Sequence, residues 1–187
     1  MADMNPENAN AYQKAMELLG RAPRSPFTVK TWCPDGTPQV LLANPVFLED
    51  GIWKPFPAFL WLTCPRLKLQ IALLEQDGLV RHFSQRLDTD EEFRETYLRG
   101  QKEIAEIRIK MARSIYPGDL PEHMAEILKE TTVAGSRNFR GVKCLHSQVA
   151  HELAFGGNPI GAEALKIIGR CKPEDICGRY SSTGEKQ

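Results

Sequence analysis

The sequence lacks an apolar leader, a long hydrophobic run, an excess of charge of either sign and a closely spaced cysteine pair, and each absence removes a class of protein. Residues 1–10 carry Asp3 and Glu7 and have neither the basic start nor the apolar stretch of a secretory signal, so a cytoplasmic location is expected. The longest apolar run, residues 58–62, falls far below the roughly 20 residues that cross a bilayer, and no membrane span is expected. Lys plus Arg and Asp plus Glu are balanced at 24 each. No global field therefore draws the chain toward nucleic acid or an anionic membrane, and a site for a small molecule or an anion has to be local. There is no internal repeat, and the only low-complexity tract is the polar stretch 181–187, where disorder is expected. The glycine-rich Gly156-Gly157-Asn158-Pro159-Ile160-Gly161 matches neither a Walker nor a dinucleotide fingerprint and reads as a turn between helices. No Ser-His-Asp elbow and no zinc-protease helix motif occurs.

What is present is ordinary globular material, 42% hydrophobic and 26% charged, in a chain whose length suits one core with looser ends. The expected organisation is an N-terminal helix and linker over 1–26, one globular domain over 27–169, and a C-terminal loop and tail over 170–187. A first helix is expected over 6–19, where Tyr12, Met16 and Leu19 share a face. Two strands, 27–32 and 39–43, flank the turn formers Pro34, Asp35 and Gly36 and read as a hairpin. Residues 48–57 read as a turn-rich stretch and 58–63 as a third, buried strand. From Pro65 onward the period becomes helical. Helices are expected over 65–78, over 79–87, from a Thr89/Glu92 capping box to about residue 116, from an Asp119 cap to Lys129, over 141–155 and over 162–168. The fold class is α+β, mainly α, with about six helices and a small antiparallel β element in the N-terminal third.

Five cysteines, an odd number in a chain without an export signal, argue for reduced thiols, metal ligands or catalysis rather than a disulfide framework. Cys64 precedes Pro65 at the start of a helix, where unpaired N–H groups and the nearby Arg66 favour a thiolate, so it is a ligand, a reactive thiol, or a buried cysteine closing a strand. Cys33 repeats the Cys-Pro dipeptide in the hairpin turn, and Cys144 stands near the start of another helix. Three cysteines at element starts form a pattern. If Cys144 is already helical, His151 lies on its face but about 10 Å along the axis, too far to share an ion. His151 then supports a ligand or acts in acid/base chemistry, and His146 reaches the ion of Cys144 only if Cys144 sits in the turn before the helix. Cys171 and Cys177 add two thiols in a C-terminal loop that supply a fourth ligand only if the loop folds back. Arg137, Arg140 and Lys143 lead into the Cys144 helix, so cations and helix N–H groups converge where an anion would bind.

Two blocks carry a resemblance. One runs from Thr31-Trp32-Cys33-Pro34-Asp35-Gly36 to Trp61-Leu62-Thr63-Cys64-Pro65-Arg66. The other runs from Val142-Lys143-Cys144-Leu145-His146 through Ala150-His151 to Asn158-Pro159-Ile160-Gly161. Together they resemble the uncharacterised bacterial domain-of-unknown-function family 501, whose Cys-Pro, Trp-Leu-Thr-Cys-Pro and Lys-Cys-Leu-His signatures occur in this order. The resemblance spans about residues 27–168. It implies that Cys33, Cys64, Cys144, His146, His151 and Asn158 stand at the family's motif positions, that Cys171 and Cys177 lie outside them, and it brings no mechanism.

These observations lead to three expectations. The first is a metal protein in which Cys33, Cys64 and Cys144 hold an iron-sulfur cluster, with His146, a tail cysteine or an external ligand in fourth place. There His146 and His151 would be acid/base groups, and Arg137, Arg140, Lys143 and Asn158 would receive a small anionic or nucleic-acid-derived substrate. Zinc on the same ligands is the near rival. The second is a metal-free interaction module presenting the long helix that ends near residue 116. The third is a thiol enzyme pairing Cys64 or Cys144 with a histidine.

Overall fold

The computed structural model describes residues 6–21, 23–175 and 177. The elements are α1 (Pro6–Leu19), β1 (Phe27–Trp32), β2 (Pro38–Ala43), β3 (Val46–Glu49), β4 (Ile52–Pro55), β5 (Leu60–Leu62), α2 (Pro65–Gln76), α3 (Leu79–Thr89), α4 (Glu91–Ile115), α5 (Glu122–Lys129), α6 (Leu145–Phe155) and α7 (Pro159–Ile168). The α+β, mainly helical class is as expected, with seven helices among the described residues. No described helix is long and apolar enough to cross a membrane. The stretch 181–187, where disorder was expected, lies outside the described residues.

The β element is two antiparallel sheets. One has the order β1-β2-β5 and the other pairs β3 with β4. The β3–β4 hairpin corrects the reading of 48–57 as mere turns. Glu49 pairs with Ile52 across Asp50 and Gly51, both at positive φ, 53° and 76°. Asp-Gly is the dipeptide that such a two-residue turn requires, because both central residues must adopt left-handed backbone. In the first hairpin, Gly36 N–H donates to Cys33 O at 2.9 Å and Cys33 N–H to Thr37 O at 2.8 Å, while the Asp35 carboxylate accepts Thr37 N–H at 3.0 Å. These bonds hold Cys33 rigidly at the tip.

Four helix starts differ from expectation, each for a local reason. Helix α7 begins at Pro159 rather than at residue 162, inside the stretch read as a turn, because Asn158 caps it and proline suits the first helical position. Asp90, not Thr89, caps α4 by accepting Phe93 N–H at 3.0 Å, and Thr89 closes α3 instead. A carboxylate outranks a threonine hydroxyl at this position and also favours the positive helix end. Asp119 caps nothing: α5 begins after Pro121, whose ring leaves no N–H for an earlier turn. The last difference places a candidate ligand, since α6 starts at Leu145 and leaves Cys144 as the extended N-cap at φ −161°.

The core lies between the β1-β2-β5 sheet and the helices. Leu41, Phe59, Leu67, Ile71, Leu145, Val149 and Ile160 are fully buried there. Helix α6 packs on β5, β1, β2 and α7, and α2 packs on α6 and α7. The α6–α7 approach is close enough that a Cβ on Gly161 would strike the Gln148 backbone carbonyl.

Among the described residues, Arg108 of α4 is the largest fully buried side chain and has no carboxylate partner. Nη1 donates to Pro57 O at 2.8 Å and Thr132 O at 3.1 Å, and Nη2 donates to Thr131 O at 2.5 Å and to Leu128 O. The cation thus closes the carbonyl end of α5, where the helix dipole favours positive charge, and ties it to the strand approach at Pro57. Burial lowers its pKa to about 10. Replacing Arg108 with Met takes its donors from four carbonyls, of which Thr132 O alone keeps another, the Gly135 N–H, and urea unfolding should record a loss of about 3 kcal/mol or more.

Candidate metal centre

Four thiols converge. Cys33 comes from the β1–β2 turn, Cys64 from the N-cap of α2, and Cys171 and Cys177 from the segment after α7, and their sulfurs all lie within 4.8 Å of one another. The Sγ–Sγ separations are 3.9 Å for Cys33–Cys171, 3.4 Å for Cys64–Cys171, 3.5 Å for Cys64–Cys177 and 4.0 Å for Cys171–Cys177. Cys33, Cys64 and Cys177 are buried and Cys171 is partly covered, and all are free thiols. This group of cysteines is able to hold a metal ion.

Local structure explains why the sulfurs meet. Pro65 at the first helical position leaves Cys64 at the head of α2. Two residues on, Arg66 donates to Ile168 O at 3.1 Å and Gly169 O at 3.3 Å and pairs with Asp175 at 3.4 Å, which folds the C-terminal segment back over the N-terminus of α2. Gln39 Nε2 lies 3.7 Å from Cys33 Sγ and its Oε1 accepts from Thr31 at 3.2 Å, so the amide presents a donor to the sulfur. Cys171 is the thiol of the four most disposed to ionise. The Cys33 and Cys64 thiols, donating to it, and the charge of Arg66 hold its pKa far below the usual thiol range, while Cys33 and Cys64 are kept protonated.

Cys144 is elsewhere. The expected trio of Cys33, Cys64 and Cys144 is not brought together: Cys144 groups with Glu75 and His146, their ligand atoms within 4.8 Å of one another. His146 Nδ1 lies 3.6 Å from Cys144 Sγ and 3.3 Å from Glu75 Oε1, and Nε2 lies 3.3 Å from Lys68 O. Glu75 Oε1 also accepts Leu145 N–H at 2.7 Å. All three groups are partly exposed. Burial works against the Cys144 thiolate, but the His146 ring and the Ser147 N–H outweigh it and the pKa falls. Burial likewise opposes the His146 cation, yet Cys144 and Glu75 raise its pKa.

His151 and Asn158 meet in the core, both almost fully buried. Asn158 Nδ2 donates to His151 Nδ1 at 3.0 Å and to Gln148 Oε1 at 2.7 Å, and Asn158 Oδ1 accepts Gly161 N–H at 2.9 Å as the cap of α7. The Asn158 amide and His151 Nδ1 are thus engaged in joining α6 to α7. Arg137, Arg140 and Lys143 are exposed, with no side-chain hydrogen bond or ion pair among the described residues. Asn138 closes their loop by accepting Arg140 N–H at 2.9 Å. Glu75 was missed in the sequence, where it reads as one more polar residue near a helix end. Its only signal was its charge: a carboxylate in the last turn of a helix opposes the dipole unless something nearby holds it.

A four-thiol centre and a separate Cys-His-Glu group thus sit on a helical α+β domain. Residues 29–166 match the family described as "Protein of unknown function (DUF501)", and the chain belongs to that family. Cys33, Cys64, Glu75, Cys144 and His146 lie inside the matched span, and Cys171 and Cys177 lie beyond it. No curated protein and no solved structure matches the chain.

The buried His151 carries a pH test. Burial, then the charge of Arg108, lowers its pKa from 6.5 to about 4. Between those values the unfolded chain takes up a proton that the folded one refuses, so stability is fully present above pH 6.5 and is lost as pH falls to 4. The loss should be about 3 kcal/mol. Urea unfolding across this range should show a shallower fall in His151→Gln than in the wild type.

Proposed function

We propose that the protein is a zinc protein in which Cys33, Cys64, Cys171 and Cys177 bind one ion as a closed structural centre. The supporting observation is the sulfur spacing. Four thiolates on one tetrahedral zinc, each bond about 2.3 Å, stand about 3.8 Å apart along every edge. Four of the six separations here run from 3.4 to 4.0 Å, and the remaining two, Cys33–Cys64 and Cys33–Cys177, lie within 4.8 Å. A multi-iron cluster spreads its thiolates over separate irons and sets them farther apart, which disfavours the iron-sulfur reading of the sequence. All four positions are filled from the chain, so no ligand place is left for substrate, as in structural rather than catalytic zinc sites.

The ion would bind the hairpin tip, the head of α2 and the C-terminal segment together. Four thiolates and one zinc leave a net charge of −2, partly offset by Arg66 and by the donor of Gln39. Because the ligands meet only in the folded chain, the binding energy is folding energy.

Protein purified under reducing conditions should contain zinc that is lost from this centre in Cys64→Ser and Cys177→Ser, by elemental analysis. Stripping it with a chelator should lower the thermal midpoint by about 10 °C or more. Iron with stoichiometric sulfide and broad visible absorption would replace zinc by a cluster. Metal content unchanged in both variants would overturn the centre altogether.

A further inference from the structure

The second group, Glu75, Cys144 and His146, draws on none of the four cysteines of the first, and its geometry asks for a cation of its own. A carboxylate oxygen, a sulfur and a ring nitrogen face one another within 4.8 Å. His146 Nε2 lies 3.3 Å from Lys68 O, a backbone acceptor that fixes the proton on Nε2 and turns the Nδ1 lone pair toward Cys144 and Glu75. Two groups that are anionic as ligands and one lone pair thus point into a single space. Something positive has to occupy it, either a proton on Nδ1 or a metal ion.

We propose that Glu75, Cys144 and His146 form a second metal site, for a divalent ion of the zinc class, with one coordination position open. The distances fit. For a tetrahedral zinc with bonds of about 2.3 Å to sulfur and about 2.0 to 2.2 Å to nitrogen and oxygen, the sulfur–nitrogen edge is about 3.6 Å and the nitrogen–oxygen edge about 3.4 Å. The chain places Cys144 Sγ 3.6 Å and Glu75 Oε1 3.3 Å from His146 Nδ1. The ligands are also held from behind, as metal ligands are: His146 by Lys68 O, and Glu75 by the Leu145 N–H at 2.7 Å.

The elements explain the arrangement. Glu75 lies in the last turn of α2, where the helix dipole disfavours negative charge, and the N-terminus of α6 compensates by donating a backbone N–H to it. Cys144 occupies the N-cap of α6, a place usually held by an oxygen-bearing side chain. Both departures from helix-end chemistry fall on the same three-residue group. One thiolate, one carboxylate and a neutral imidazole cancel the charge of a divalent ion. Unlike Cys33, Cys64 and Cys177, all three of these ligands are partly exposed, so the fourth position is open to water or a small anion, and the exposed Arg140 and Lys143 just before Cys144 favour the anion.

The test is zinc stoichiometry on the full chain, stripped with a chelator, reloaded with zinc alone and desalted. The wild type should hold two ions, and Cys144→Ser and His146→Gln one. Glu75→Gln, which keeps an acceptor for Leu145 N–H, should bind its second ion at least tenfold more weakly. Cys177→Ser separates the two sites: it should lose the other ion and keep the Cys144 one, so failure at either site is visible on its own. Cobalt loaded into Cys177→Ser should give visible bands that disappear on adding His146→Gln. A wild type whose zinc content equals that of His146→Gln would overturn the proposal. So would rapid alkylation of Cys144 in zinc-saturated protein, which would make the group a metal-free thiol–imidazole pair.

Discussion

Four sulfur atoms gathered within 4.8 Å obey one constraint: no two of them ionise unless a cation stands between them. The rest of the architecture can be read as the means of satisfying it. The β1–β2 turn holds one sulfur rigid, Pro65 sets another at the head of α2, and Arg66 draws the segment after α7 across that helix start by its carbonyls and Asp175. A divalent ion resolves the same crowding with all four thiols ionised.

Helix α2 acts as the frame of both candidate sites. Its N-cap is Cys64, the Lys68 carbonyl one turn on orients His146, and its last turn carries Glu75. Helix α6 meets it end-on with Cys144. Because α6 also packs on the β1-β2-β5 sheet and, through the His151–Asn158 pair, on α7, the Cys144 group is supported by the core rather than by loops. Rigid support of this kind keeps ligand atoms at bonding distance.

Much of the fold was legible because it is local. Period and punctuation set the helices and the first hairpin, and Cys33 and Cys64 stood out through their Cys-Pro steps at element starts. The β3–β4 hairpin was legible too, since Asp50-Gly51 is a hairpin dipeptide, but the surrounding Trp53, Pro55 and Pro57 obscured the alternation. The site was only half legible. Cys144 shares its context with Cys64, and nothing in one dimension says that the length of α2 keeps a thiol at its far end in a different group. Cys171 and Cys177 needed the fold-back that Arg66 organises through backbone carbonyls, which leave no trace in side-chain pattern. Condition and outcome did agree at one point: His146 was able to join Cys144 only from the turn before the helix, and Cys144 occupies that turn.

Cys33 and Cys171 stand 138 residues apart, yet their sulfurs touch. As the chain is synthesised from its N-terminus, Cys33 and Cys64 emerge long before their partners and must remain reduced and unengaged while the sheet and seven helices assemble. The centre can be closed only by the last of its ligands to leave the ribosome. A chain that reaches Cys177 can bring all four thiols together, whereas one cut short before Cys171 would carry most of its core while lacking the segment that joins the hairpin tip to the head of α2.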